Sequence, residues 1–267
     1  MGMQSKPLMS RRALLGGVMA LASGVPAWAK KKKTALLSGH VARVISGQSF
    51  TLQDGRTVRL GGIDAPRMAY QDIHAEPLAK AARNTLTRLV QGRVLHFESA
   101  APDRYGRLKA QVYAQADPGE DPVWVQGAMV QQGYARVHTW RDDKTHAAAL
   151  LRLEQSARAA RRGLWAEDYY AVRDPQTIAA SVGSFQIVQG RIVDAAIVRK
   201  RVYLNFGSDW REDFTISIAP KDARRFERAG INLAGLSGVL VRARGLIRTL
   251  NGPVLYLDHP EALEILE

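Results

Sequence analysis

The sequence predicts a β-rich α+β chain built from two small barrels, and three observations carry that prediction. Short β-branched runs separated by turn signals occur in both halves, a block with helical periodicity interrupts the first half, and a mostly strand-like pattern begins near Ser184. A length of 267 residues suits one large domain or two small ones.

The first residues are read apart from the fold. Residues 1–29 carry "SRRALLGGVMALASG", twin arginines before a short apolar run, and close on "AWA" at Ala27 to Ala29. This is the pattern of a twin-arginine signal peptide with a small-x-small cleavage site. Gly16, Gly17, Gly24 and Pro26 interrupt the apolar run, so a cleaved leader is expected rather than a stable membrane span. An uncleaved amphipathic anchor is the alternative. The expected location is periplasmic or extracellular, and a basic tail over 30–35 follows, with Lys30 to Lys33 in a row.

From residue 36 the elements come in order. In "GHVARVISGQSFTLQDGRTVRLGGI", Asp54-Gly55 between two apolar runs predicts an antiparallel hairpin. "EPLAKAARNTLTRLVQG" sets Leu78, Ala82, Leu86 and Leu89 at helical spacing, with Gly92 as a C-terminal stop and "RVLHFES" as the next strand. "RLKAQVYA" alternates Leu108, Ala110 and Val112 with Arg107, Lys109 and Gln111, which predicts one buried face and one basic face. Helices over "WVQGAMVQQG" and "HAAALLRLEQSARAARRGLW", the latter ended by Gly163, complete a domain over 36–168, and 169–183 reads as a linker. Over 184–267 about five strands, one helix between the third and fourth, and an Asn251-Gly252 turn predict a Greek-key barrel of the OB type. The two halves also open alike, with "GHVARV" at Gly39 and "GRIVDA" at Gly190.

Composition narrows the chemistry. With no cysteine, thiolate metal sites, thiol nucleophiles and disulfides are excluded, and the six histidines show no H-x-x-x-H or H-x-H pairing for zinc. The formal charge is +13, and it stays strongly positive when Lys6, Arg11 and Arg12 leave with the leader. The expected partners are nucleic acid or other polyanions.

"VRLGGIDAP", "DRYGR" and "RLEQSARAARRGLWA" occur in that order, with strands and helices between them. Together they resemble the staphylococcal nuclease (thermonuclease) family over roughly residues 36–168. The resemblance implies a five-stranded OB barrel with three helices and calcium-dependent hydrolysis of DNA and RNA. It places Arg59 and Arg107 as the two phosphate-binding arginines and Asp64 as one calcium-binding aspartate. A structural alternative has Arg59 and Arg107 bridging Asp64 and Asp103 to hold the barrel.

The departures from the family pattern matter more. Where active members read "DGDT", this chain reads "SGQS" at Ser46 to Ser49, so Gln48 replaces a metal-binding aspartate. Ala65 departs from the threonine of the founding member, but the resemblance implies that this position need supply only backbone. Where active members read Pro-Glu, this chain reads Pro66-Arg67, so the water-activating glutamate has become a permanent cation. Asp64 is then a vestigial metal position and calcium is not expected as a cofactor. Asp72, His74 and Glu76 lie in the following loop and could supply a displaced base or ligand, but their expected role is loop solvation and a helix N-terminal charge.

In the second barrel, cations beside aromatic residues point to single-stranded nucleic acid. The expected contacts are Arg199, Lys200, Tyr203, Trp210, Arg211, Arg242 and Arg244, with Phe206 and Phe214 in the core. Three functions follow: a nucleic-acid binder with a degenerate nuclease site, a working phosphodiesterase using another metal or base, or an envelope interaction module. Salt-dependent DNA binding without turnover marks the first, divalent-dependent cleavage lost with Arg59 or Arg107 marks the second, and indifference to nucleic acid marks the third.

Overall fold

Turn residues cut the apolar runs into short strands whose inward positions alternate. The structure, a computed structural model, describes residues 1–2, 37–209 and 211–266. The expected leader and basic tail, apart from Met1 and Gly2, and Trp210 lie outside the described residues. No helix among the described residues is long and apolar enough to cross a membrane.

The first module contains β1 (Leu37–Gly39), β2 (Val41–Ser46), β3 (Ser49–Leu52), β4 (Thr57–Leu60), β5 (Ile63–Asp64), α1 (Ala79–Val90), β6 (Val94–Pro102), β7 (Leu108–Gln115), β8 (Val123–Trp124), α2 (Val125–Gln131), β9 (Arg136–Val137) and α3 (Ala147–Ala159). Phe50, Leu52, Val58 and Leu60 alternate inward and are fully buried, so their neighbours, Arg59 among them, face away from the core. Ala82, Leu86 and Val90 form the buried stripe of α1. A Cβ at Gly47 would come within 2.9 Å of both Ala82 and Ala65, so only glycine lets the β2–β3 turn lie against this helix.

The second module contains β10 (Phe185–Arg191), β11 (Asp194–Val198), β12 (Arg201–Asn205), β13 (Thr215–Ile218), α4 (Pro220–Arg228), β14 (Leu240–Leu250), β15 (Gly252–Leu257) and β16 (Leu263–Ile265). Pro220 opens α4, where its missing N–H costs nothing, and Ala223 and Phe226 bury its inner face. Phe214 is fully buried and Phe206 packs against the same core, as their alternation predicts.

The two sheets share one connectivity. The order is β1-β6-β7-β4-β3-β2 in the first and β10-β14-β15-β13-β12-β11 in the second, with β8 and β16 as additions. In each, one parallel contact, β4 with β7 and β13 with β15, sits among antiparallel pairs. The outer strands of each path are successive segments of one stretch of chain, parted by His40 in the first and by Ile192 and Val193 in the second. The paired openings at Gly39 and Gly190 fall at those breaks.

Three expectations change. The third helix stops at Ala159 rather than at Gly163, because Arg161 and Gly163 adopt φ of 49° and 52° and bring Gly163 against the Gly133 carbonyl, where a Cβ would sit 2.3 Å from the oxygen. The outward face of β7 is covered rather than basic: Gln111 is buried and donates to the Gly61 carbonyl, and Lys109 reaches Asp142 at 3.3 Å. The segment read as a linker is packed, with Tyr170 buried and its hydroxyl donating to the Pro77 carbonyl at 2.7 Å, and Ile178 within the second core.

Two residues expected at the surface hold the modules together instead. Arg244 is 2% exposed and donates to the Val137 carbonyl at 3.1 Å and to Glu154 of α3 at 3.0 Å, with Glu264 on its other side. Burial opposes its charge, but Glu154 and Glu264 outweigh that and raise its pKa further. Arg242 is half-buried between Gln189 and Glu264. Each guanidinium is already spent on protein acceptors, Arg244 on buried Glu154 and on Glu264, Arg242 on Gln189 and the part-buried Glu264. Thr139 with His259 at 2.8 Å and Lys144 with Glu261 at 3.1 Å extend the junction.

Truncating Arg244 leaves Glu154 buried without its main counter-charge. An Arg244→Ala variant is expected to lose about 3–5 kcal/mol of stability, read as a lowered urea midpoint; a midpoint within error of the parent would remove the junction from the account.

Candidate functional site

Arg59 alternates with buried Val58 and Leu60 on β4 and lies opposite Ser49 of β3 and Lys109 of β7. Its guanidinium is largely desolvated, and among the described residues it makes no ion pair or side-chain hydrogen bond. Burial and then the like charge of Arg107 lower its pKa, while Asp64, Asp103 and Asp143 act against them from a distance. A half-buried cation next to a second cation is a place where an anion gains and a further cation does not.

Arg107 leaves the Asp103–Gly106 turn, where Gly106 takes φ of 75°. It pairs with Asp103 at 2.7 Å, the bridge foreseen as the structural alternative. Burial raises the Asp103 carboxyl, but the Arg107 hydrogen bond and the N–H groups of Tyr105 and Arg107 outweigh it and hold the pKa below its ordinary value. The ring of Tyr105, 65% exposed, stands against both Arg104 and Arg107 at 4.7 and 5.1 Å.

Asp64 does not bridge to Arg59. It pairs with Arg136, its register partner on β9, at 3.1 Å. Arg136 is 6% exposed, donates its other terminal nitrogen to the Phe185 carbonyl at 3.2 Å, and lies over the rings of Phe185 and Tyr170. Gln48 accepts the Ala65 N–H at 3.0 Å, so its amide oxygen closes the loop that an aspartate would leave open to a metal. Arg67 is exposed, and its backbone N–H donates to Glu76 at 2.9 Å while its guanidinium stands 3.5 Å from the same carboxylate. Asp72 and His74 are exposed on the intervening loop.

Sequence reasoning missed Arg136, His138 and Asp143. Asp143 accepts the Gly62 N–H at 3.0 Å, and burial raises its pKa despite Lys109. His138 stacks between Trp140 and Phe185, at 4.4 and 4.3 Å, with Nδ1 buried and unpartnered among the described residues. Burial, then the charges of Arg59, Arg136 and Arg244, press its pKa down to about 3. The available signal was "ARVHTW", a strand with a cation and a histidine alternating around Val137. The second-module candidates separate as well: Arg199, Lys200 and Tyr203 share one hairpin, whereas Arg211 sits in an exposed turn facing Asp209.

Residues 57–167 match the family model described as staphylococcal nuclease homologue. The chain is 33% identical over 167 residues to protein ParB of Escherichia coli, an alignment covering 60% of this chain and 86% of that protein. It is 31% identical over 134 residues to an uncharacterized endonuclease of Escherichia coli O157:H7, covering 49% of this chain and 78% of the other. It is 36% identical over 109 residues to a probable staphylococcal-like nuclease of Oryza sativa subsp. japonica, covering 41% of this chain, but it spans only 28% of that relative's length.

The depressed His138 gives a pH dependence of fixed sign. Unfolded histidine takes a proton near pH 6.5, and folded His138 only near 3. Between those values the unfolded state binds more protons, so stability is complete above about pH 6.5 and falls as pH drops. Compared with His138→Phe, the parent is expected to lose up to about 1.4 kcal/mol more per pH unit below that point. Parallel stability-against-pH curves from urea melts would sink this assignment.

Proposed function

The chain belongs to the staphylococcal nuclease homologues, and on that premise we propose that it binds nucleic acid or another phosphate polyanion through the Arg59 and Arg107 cleft, without calcium-dependent cleavage. Arg59 carries the reading: it is a desolvated guanidinium with no ion-pair partner among the described residues, beside a second arginine, on a chain of formal charge +13. A phosphate oxygen supplies the missing charge, and a guanidinium meets it with paired donors.

The donors present do not fit calcium, which takes about six to eight oxygens and gains affinity from their charge. Asp64 is committed to Arg136, the Gln48 oxygen to Ala65 N–H, and position 67 is a cation. Arg67 has no lone pair with which to activate water. In the same reading each sheet closes as an OB-type barrel through its bent first strand, and the protein works outside the cytoplasm after a twin-arginine leader.

One observation favours a second reading, that of a working phosphodiesterase. Glu76 folds back onto Arg67 and sets a carboxylate beside the position the missing glutamate would hold. Cleavage of DNA in calcium, magnesium or manganese, abolished by Glu76→Gln, would replace the first reading with this one.

Binding to DNA is expected to weaken as salt rises and to fall at least about tenfold for each of Arg59→Ala and Arg107→Ala, measured by fluorescence anisotropy. Installing two carboxylates by Gln48→Asp with Arg67→Glu is expected to create calcium binding that the parent lacks, read by calorimetry. Calcium heat in the parent, or its absence from the double variant, counts against the assignment of these positions.

A further inference from the structure

The outer face of the second sheet, the side turned away from its core, is laid out by register. Ala196, Tyr203, Ser217 and Tyr256 lie in one row across β11, β12, β13 and β15. Asp194, Asn205, Thr215, Val254 and Arg248 form the next, and Val198 opposite Arg201 forms a third. Outward positions of a sheet are ordinarily wet, yet Thr215 and Ser217 are 8% and 2% exposed. They floor a cavity of about 450 Å³ whose walls include Tyr203, Val198, Leu250 and Val254. That size lies within the range of pockets that take small organic groups, about 300–1,000 Å³.

The walls are largely apolar, the charged residue among those lining the slot is Asp194, and cations stand on the neighbouring strands and hairpin. Arg201 donates to Ser217 at 3.1 Å across the floor, and Arg248 stands exposed beside Val254. The hairpin that carries Val198 to Arg201 turns on Arg199 and Lys200, both exposed, with φ of 50° and 66°. A two-residue turn with both φ positive is best made by Asn-Gly, and two long cations there cost backbone energy. The turn holds two exposed cations directly after Val198, which lines the slot. One carboxylate, Asp194, closes the far end, an acceptor suited to an exocyclic amino group.

We propose that this outer face takes single-stranded nucleic acid, one base entering the cavity against Tyr203 and the adjoining phosphates lying on Arg199, Lys200 and Arg248. An aromatic wall for a base with cations at backbone spacing is the chemistry by which a sheet holds an unpaired strand. A base seated in the slot must be unpaired and unstacked, because the bases of a closed duplex present no free face. The inference rests on the reading of the chain as a nucleic-acid binder and gives it a second contact region, separate from the Arg59 cleft.

The test uses the full chain, fluorescence anisotropy, and two labelled probes: a short oligodeoxycytidylate and an abasic oligomer with the same number of phosphates. The parent is expected to prefer the first by about tenfold, and Tyr203→Ala to erase that preference while leaving abasic binding in place. Arg199→Asn with Lys200→Gly is expected to weaken both probes while raising the melting temperature by about 2–4 °C, so lost binding cannot be lost folding. Arg59→Ala with Arg107→Ala is expected to weaken both probes and keep the preference. Equal parental affinity for the two probes, as a slot shaped for an apolar peptide side chain would give, overturns the proposal; so does a folded Tyr203→Ala variant that keeps its preference. If only the Tyr203 effect is seen, this proposal stands and the cleft reading falls. If only the Arg59 and Arg107 effect is seen, the reverse holds.

Discussion

The buried guanidinium of Arg136 is the interaction on which the rest depends. Removing a charge from water is costly unless partners replace the lost hydration. Arg136 finds them in three places: the carboxylate of Asp64, the Phe185 carbonyl, and the ring faces of Phe185 and Tyr170. Those partners come from the first sheet region, the first strand of the second module and the segment between them. One side chain therefore neutralises the cleft acid and fixes the approach of the second module. The Arg244, Glu154 and Glu264 cluster repeats the device nearby, with the guanidinium now on the second module and one acid on the first.

Charge pairing decides what the cleft is left with. Asp64 is taken by Arg136, Asp103 by Arg107, and Glu76 by Arg67. The remaining strongly desolvated cation is Arg59, with a second arginine depressing it further. These pairings leave the described acids of the cleft matched to arginines.

The two modules show one strand order used in two ways. In the first, charged groups gather at the ends of β4, β5 and β9 and in the turn before β7, where loops bring them together. In the second, the outer face of β11 to β15 carries the apolar slot, and Leu236, Phe226 and Ile216 fill the inner face. A parallel contact at the same place in each sheet forces a long crossover there, and each crossover contains a helix, α1 or α4.

Much of this was legible in order along the chain. The apolar runs on either side of Asp54-Gly55 announced an antiparallel hairpin, Asn251-Gly252 announced a turn, and the spacing of Ala82 and Leu86 announced a helix face, because each signal lies within a few residues. The replacements at positions 48 and 67 were equally plain. What the sequence could not assign was the partner of each charge. Arg136 meets Asp64 across 72 residues and Arg244 meets Glu154 across 90, and Ser217 is buried on an outward position, with the Arg201 guanidinium donating to its hydroxyl. The sequence by itself determined where strands, helices and turns lie and which charges the cleft had lost, since periodicity and residue identity are local. Tertiary structure alone decided that, among the described residues, Arg59 of the cleft has no ion-pair partner while Arg107, Arg136 and Arg244 are spent on carboxylates, since that depends on distances set by long-range packing.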